Sequence, residues 1–325
     1  MTARDCNVVR RLACTALVVW AAAAGAQPYP MKPIRVINPA APGGNSDIVF
    51  RLIAPRMGEI VGQQFVLDYR PGAGGVIGAD MTAKSAPDGY TTAIVAASFM
   101  FNPALIKNLP YDTVKDFTPL GLVVDIPAAL LVHPSLPVKN VKELIALARA
   151  RPGQIFYSSS GPGTVGHLAG ELLNNQAKIK LVHVPYKGIA PATMDAIAGH
   201  VQMTIGSIPV VIENVRAGRL RMIAQCGETR SPTVPDVPTM QEAGVPGFVV
   251  SSGFSWVGPA GLPRPIVEKL NGALVKVLND PAVRKELIDR GADPVGNTPD
   301  QHAAYIKAEI EKWKRVAKQA GISPE

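Results

Sequence analysis

The residues best suited to chemistry in this chain are the glycines of three loops. The stretches "APGGNSD" (41–47), "RPGAGG" (70–75) and "SGPGT" (160–164) each lie between an apolar run and a helical pattern. A helix N-terminus carries free N–H groups and a partial positive charge, and glycines let an anion approach them. One such loop could equally be a tight turn. Three of them favour a shared anion cleft.

The third loop belongs to "SSSGPGTVGHLAG" (158–170), which contains G-x-G-x-x-G at Gly161, Gly163 and Gly166. This is the pattern of a dinucleotide site, which also needs an acidic residue about twenty positions further on. The region "KIKLVHVPYKG" there has no Asp or Glu, and Gly-Lys-Ser/Thr is absent. We therefore predict a binder of small anions without a cofactor.

Catalytic groups are sparse. There is no G-x-S-x-G, and the five histidines have no metal-ligand spacing. His167 could hydrogen-bond a ligand or only its own loop. A triad can be written from Ser159, His167 and Asp195, so an exported serine hydrolase stays as an alternative, but nothing in the spacing demands it. Cys226 ends an apolar strand and is expected to be inert. The pattern favours binding over turnover, and we predict no enzyme.

The elements that position these loops alternate between strand and helix, which predicts parallel sheets with helical crossovers. Two units follow, at about 30–125 and 126–250. In the first, Ser46 or Asp47 should cap a helix that runs to Val61 and kinks or breaks at Pro55. Predicted strands lie at 34–38, 65–69, 91–97, 155–160, 181–184, 201–205 and 220–225; predicted helices lie at 76–84, 138–150, 165–176 and 192–198.

The amino-acid composition changes toward the end of the chain. Residues 229–263 are rich in Pro, Gly and Ser, which predicts a hinge and return connection rather than a core element. Two amphipathic helices follow at 265–278 and 299–320, with Trp313 as a core anchor. We expect both to pack on the first unit, so that the chain crosses between the units at least twice.

The first residues read as an export signal. Three arginines precede an uncharged apolar run that ends at an A-x-A-like site near Ala26. An N-terminal membrane anchor is the alternative. Export with only Cys226 remaining excludes an internal disulfide. The net charge of +8 is spread along the chain, so it indicates a solvated surface and no nucleic-acid partner.

Ordered motifs, among them "YRPGAGGVIGAD", "FNPAL", "YSSSGPGTVGHLAGELL" and "HVPYKGIAPA", make the chain resemble the tripartite tricarboxylate transporter substrate-binding receptors, or Bug family. The resemblance implies an α/β, type II-like periplasmic binding protein. Lobe 1 would comprise 27–125 plus 251–325 and lobe 2 would comprise 126–250, each a mostly parallel sheet flanked by helices, with the ligand cleft between them. The expected role is a periplasmic monomer that closes on a mono-, di- or tricarboxylate and presents it to membrane transporter subunits. A sensor for a signalling partner is the alternative.

The resemblance also carries over a set of ligand-binding residues on loops of both lobes. They are Pro42, Gly43, Gly44, Asn45, Asp47, Tyr69, Gly72, Ala73, Gly74, Ser98, Phe99, Ser158, Ser159, Gly163, Thr164, His167, Tyr186, Gly206, Ser207 and Phe254. Asp47 is expected to shape its loop rather than touch an anion.

Two departures from the family pattern bear on the ligand. Gln202 replaces the usual Asp, which removes a candidate partner for an amine. Tyr69, Phe99, Phe101 and Phe254 either line the cleft or belong to the core. We hypothesise a carboxylate without an amine, which is aromatic if those rings line the cleft.

Overall fold

The computed structural model describes residues 29–40 and 42–322. The predicted signal peptide lies outside these residues. The strands are β1 Ile34–Asn38, β2 Phe65–Tyr69, β3 Thr91–Ala96, β4 Phe117–Asp125, β5 Ala128–Val132, β6 Ile155–Ser159, β7 Leu181–Pro185, β8 Met203–Ser207, β9 Arg221–Gln225, β10 Phe254–Pro259 and β11 Asp293–Pro294. The helices are α1 Asn45–Val61, α2 Val76–Ala83, α3 Ser98–Leu105, α4 Val141–Ala150, α5 Val165–Ala177, α6 Ile189–Ile197, α7 Ile208–Arg216, α8 Arg264–Leu278, α9 Pro281–Asp289 and α10 Pro299–Gln319.

The first sheet has the strand order β11-β4-β10-β3-β1-β2. Strand β1 pairs in parallel with β2 and β3, which confirms the predicted βαβαβ unit. Strand β10 pairs antiparallel with both β3 and β4, so the sheet is mixed rather than mostly parallel. The prediction that 229–263 holds no core element was wrong for Phe254–Pro259. Trp256 there is fully buried, and its Nε1 donates to Thr92 Oγ1 at 3.0 Å.

The second sheet has the order β7-β6-β8-β5-β9 and is mixed in the same way. Strand β6 is parallel to β7 and β8, whereas β5 is antiparallel to β8 and β9. In each sheet the parallel strands come from the strand–helix repeats. The carboxyl ends of those strands lead into the glycine loops, as the sequence predicts.

Helix α1 passes through Pro55 without ending, so the predicted break is absent. Pro55 is exposed, and the carbonyl group that loses its donor can therefore bond to water. The predicted cap was also wrong, since the N-cap residue is Gly44 and makes no side-chain bond. Ser46 instead donates to Asn38 Oδ1 at 3.0 Å, and Asp47 accepts from Gly43 N–H at 2.7 Å.

The chain leaves the first sheet after β4 and returns to it before β10. The two crossing segments lie side by side, with an antiparallel bridge between Pro127 and Ser251. Ser252 N–H donates to the Ile126 carbonyl at 2.9 Å, and Ala128 N–H donates to the Val250 carbonyl at 3.2 Å. The chain therefore connects the two sheets through two segments that are hydrogen-bonded to each other.

Helices α8 and α10 pack on the first sheet, as predicted. Trp313 on α10 is buried and meets Phe101 edge-to-face at 4.8 Å, which confirms it as a core anchor. Helix α10 also contacts α5 of the second unit. Cys226 is buried, and burial raises the pKa of its thiol to about 12, so it belongs to the inert core. None of the described helices is both long and apolar enough to cross a membrane.

Candidate functional site

A cleft of about 710 Å³ lies between the two sheets, within the usual size range for small-molecule sites. It receives residues from all three glycine loops and from the loops that follow β3, β7 and β8. Its walls carry aliphatic side chains from both units: Leu105, Ile106, Val165, Ile189, Ile205, Val210 and Ile322. No Asp, Glu, Lys, Arg or His stands among the described residues that line it.

Six helices start at or beside the cleft, and none of their first turns is capped by a side chain. Helices α1, α2 and α3 start on the first unit, and α5, α6 and α7 on the second. Of the four described helices that start elsewhere, α4, α9 and α10 are capped by Asn140, Asp280 and Thr298, whereas α8 has no side-chain cap. Free N–H groups and helix dipoles therefore supply the positive potential that no cationic side chain provides.

The first loop is organised by Asp47, which is 4% exposed. Its carboxylate accepts from Gly43 N–H, from Arg51 Nε at 2.6 Å and from the Tyr69 hydroxyl at 2.6 Å. Burial acts to raise the pKa of Asp47, but the bonds from Tyr69, Gly43 and Arg51 outweigh it and lower the pKa. Asp47 stays ionised, and its three hydrogen-bond donors are groups of the protein itself. It therefore fixes the shape of the loop.

Replacing Asp47 by alanine is expected to weaken ligand affinity about tenfold, because three bonds that fix the loop are lost. Asp289→Ala is the control, since Asp289 pairs only with Lys285 among the described residues, on the exposed surface of α9 away from the cleft. Isothermal titration of both variants checks this. An Asp47→Ala variant that binds the ligand as tightly as the wild type would contradict the positioning role of Asp47.

The second loop has four consecutive residues with positive φ, namely Gly72, Ala73, Gly74 and Gly75. Glycine adopts this conformation freely, whereas Ala73 at φ 46° is strained. The loop is held by the Ser98 hydroxyl, which donates to the Gly74 carbonyl at 3.0 Å. Gly75 N–H donates to the Gly72 carbonyl at 3.0 Å, and the missing side chains of the glycines leave room for an anion beside the backbone.

The third loop is ordered from within by Ser159, which is fully buried. Its hydroxyl donates to the Gly161 carbonyl at 3.1 Å and lies 2.7 Å from His183 Nε2. His167 stacks on His183 at 4.1 Å and accepts from Gly163 N–H at 3.1 Å. Of the two roles considered for His167, the structure shows the bond to its own loop. Burial and the neighbouring His167 lower the pKa of His183 to about 4, so this imidazole is neutral at neutral pH.

The triad considered above, Ser159, His167 and Asp195, does not form. Asp195 binds the hydroxyl of Tyr186 and lies 3.4 Å from His200 Nδ1, well away from His167. Burial, followed by the bond to Asp195, raises the pKa of Tyr186 to about 12. Within the described part of the chain, no group of three metal-ligating side chains forms either.

The structure brings half of the predicted residues to the cleft or to a chamber that opens from it. These are Asn45, Gly72, Ala73, Gly74, Ser98, Phe99, Gly163, Thr164, Gly206 and Ser207. The other half lies behind or beside the described lining: Pro42, Gly43, Gly44, Asp47, Tyr69, Ser158, Ser159, His167, Tyr186 and Phe254. Several of the latter hold the loops. Ser158, for example, is buried and donates to the Ala192 carbonyl at 2.9 Å.

Other lining residues were missed by the sequence analysis. Asn38, Ser46, Asn102 and Tyr111 line the chamber, and Ser160, Pro162, Ile189 and Ser252 line the cleft. The quoted motif "FNPAL" contains Asn102, which was the available signal. Gln202 was wrongly taken as a position that could face a ligand amine. It precedes β8, and its Oε1 accepts from Phe156 N–H at 2.9 Å, at the opposite end of the strands from the cleft.

The aromatic residues divide between the two alternatives. Phe254 is in the core of the first unit, and Tyr69 is on the outer edge strand with its hydroxyl bound to Asp47. Phe99 and Phe101 are each 3% exposed and present only a small part of their rings to the chamber and the cleft. The cleft wall is therefore mainly aliphatic.

Known proteins share this architecture. The tripartite tricarboxylate transporter family receptor model matches residues 49–322. The chain belongs to this receptor family. The receptor is 38% identical to Protein BugT of Bordetella pertussis over 303 residues, which are 93% of each chain.

Solved structures that are similar to this receptor include two from Rhodopseudomonas palustris. R. palustris Rpa4515 with adipate is 38% identical with a TM-score of 0.75, over 91% of this chain and 100% of that chain. MatC (Rpa3494) from Rhodopseudomonas palustris with bound malate is 33% identical with a TM-score of 0.70, over 89% and 99%. The family resemblance and the two-lobed periplasmic binding fold are confirmed. The receptor is a solute-binding protein and not an enzyme.

Proposed function

We propose that this receptor captures an aliphatic dicarboxylate without an amine and delivers it to the membrane subunits of a tripartite transporter. The observation that carries the proposal is the placement of uncapped helix N-termini on both walls of a cleft whose described lining residues carry no charged side chain. Three N-termini on each unit offer one anion site per wall. The aliphatic side chains between them fit a methylene chain.

The uncharged lining also argues against an amino acid. An ammonium group needs an acidic or carbonyl partner when it leaves water, and the described lining offers no carboxylate. The relatives with bound adipate and with bound malate make a dicarboxylate a reasonable probe. The apolar wall favours adipate, which has the longer methylene chain, over malate, which carries a hydroxyl group.

Ligand contacts on both walls would also drive closure. A dicarboxylate reaches both sets of N–H groups only when the two units approach, so it binds the closed form more tightly. The two paired crossing segments at Pro127 and Ser251 are where this motion would occur. The proposed lobes are 27–125 with 251–325, and 126–250.

Titration calorimetry and thermal unfolding with adipate, malate, benzoate and aspartate test the proposal. We expect adipate to bind most tightly and to add about 2.7 kcal/mol of stability at 100 times its Kd. Benzoate and aspartate are expected to give little shift. Tight binding of aspartate, which carries an amine beside its two carboxylates, without any response to adipate or malate would overturn it.

A further inference from the structure

A second cavity, of about 300 Å³, opens from the cleft into the first unit. The two share Gly74, Ala96, Ser98 and Asn102 in their linings, so they are continuous. We call this cavity the inner chamber. Its far side is formed by Asn38, Phe99 and Tyr111.

Three buried donors line the inner chamber without a hydrogen-bond acceptor among the described residues. They are Asn38 Nδ2, Asn102 Nδ2 and the Tyr111 hydroxyl. Asn38 is 0% exposed, and Asn102 and Tyr111 are each 6% exposed. The amide of Asn102 lies beside the Tyr111 hydroxyl without reaching hydrogen-bond geometry. Buried polar groups are nearly always paired, so three in one cavity call for a partner.

These donors are held in place by their neighbours. Asn38 Oδ1 accepts from Ala40 N–H at 3.1 Å and from the Ser46 hydroxyl at 3.0 Å, which fixes the amide with its NH₂ on the free side. The Tyr111 ring packs against Phe99 and Phe117. Burial raises the pKa of Tyr111, so its hydroxyl remains a donor.

We propose that the inner chamber is a subsite for a carboxylate oxygen of the ligand, bound by the neutral donors of Asn38, Asn102 and Tyr111. This rests on the proposed function and adds a length requirement to it. A dicarboxylate long enough to enter the chamber from the cleft gains these bonds, whereas a short one binds in the cleft alone. No charged side chain stands among the described residues that line the chamber, although the Asp80 carboxylate lies close enough to Tyr111 to add to burial in raising its pKa.

The test is a titration series of malonate, succinate, adipate and pimelate against the full receptor. Tyr111→Phe removes one oxygen and is expected to weaken adipate and pimelate about 10- to 100-fold, with malonate unchanged. Its free energy of unfolding should stay equal or rise, since the hydroxyl has no protein partner. Asn38→Asp keeps the Oδ1 contacts and replaces the free donor by an acceptor, so it should weaken the long ligands further.

Tyr90→Phe is the matched control. Its hydroxyl accepts from Met31 N–H, away from the chamber, and the variant should bind every ligand as the wild type does. If the wild type binds no dicarboxylate, the proposed function fails. If it binds them and neither chamber variant distinguishes long from short ligands, the chamber holds solvent only and this inference alone is overturned.

Discussion

Replacing Gly166 by alanine is expected to destabilise the receptor by about 1–3 kcal/mol and to weaken ligand binding at least tenfold. A Cβ atom at Gly166 would lie 2.6 Å from the Ile205 carbonyl oxygen and 3.1 Å from Ser159 Cβ. The first of these belongs to the backbone of β8, so it cannot rotate away. Helix α5 must shift, and its uncapped N-terminus at the cleft shifts with it.

Gly272→Ala is the control for this substitution. Gly272 lies within α8, and a Cβ atom there meets no atom within 4 Å. Alanine in a helix interior is favoured over glycine, so this variant should gain about 0.5–1 kcal/mol. Urea unfolding of both variants, with titration of the ligand, measures the difference. A Gly166→Ala variant with wild-type stability and affinity would show that α5 is free to move.

Replacing Asp125 by asparagine is expected to raise stability at pH 7.5 by about 2–3 kcal/mol and to leave it unchanged at pH 4. Asp125 ends β4 beside the hinge. Although the residue is partly accessible, its carboxyl group faces Asp293 on β11 and Glu309 on α10. Burial, followed by these two carboxylates and opposed by a bond from Ser251, raises its pKa from 3.8 to about 6.

Because the pKa is raised in the folded protein, stability falls as the pH rises. The folded protein binds the Asp125 proton more tightly than the unfolded chain, so the wild type is most stable below pH 4 with respect to this group. It loses that stability between about pH 4 and 6, where the unfolded chain has ionised and the buried carboxyl still holds its proton, and the loss is complete once the pH has risen through 6. Asparagine keeps an oxygen acceptor for Ser251 and does not ionise. The neighbouring Asp293 also has a raised pKa through burial, which adds to the same trend in both proteins.

Asp112→Asn provides the opposite case. Its pKa is lowered, first by the bond from Val114 N–H and then, against the effect of burial, by Lys115. This variant should lose stability at neutral pH and match the wild type once the pH falls below the folded pKa. Unfolding curves from about pH 2 to 8 separate the two, because the folded pKa of Asp112 lies below 3.8. An Asp125→Asn variant with the same pH profile as the wild type would contradict the prediction.

Local sequence was sufficient wherever an element is defined by its own pattern. Strands Ile34–Asn38 and Phe65–Tyr69 were predicted at their observed bounds, since each is a short apolar run between turn residues. Helix Val165–Ala177 was predicted to within one residue, because its amphipathic pattern follows a glycine loop. Three short helices were missed, Ser98–Leu105, Ile208–Arg216 and Pro281–Asp289, as were the strands Phe117–Asp125 and Ala128–Val132.

The sequence alone predicted an exported α/β binder of anions with glycine loops at the ends of its strands, and the α/β fold and the positions of the loops are confirmed. Those predictions follow from neighbouring residues, namely apolar runs and turn residues. Tertiary structure alone decided that Phe254–Pro259 lies between β3 and β4, since a strand's partners are chosen by burial across the whole chain. It also decided that Tyr69 and Ser159 hold loops, and that Asn38, Asn102 and Tyr111, up to 73 positions apart in the chain, share one cavity, because contacts between distant residues are set by packing and leave no local pattern.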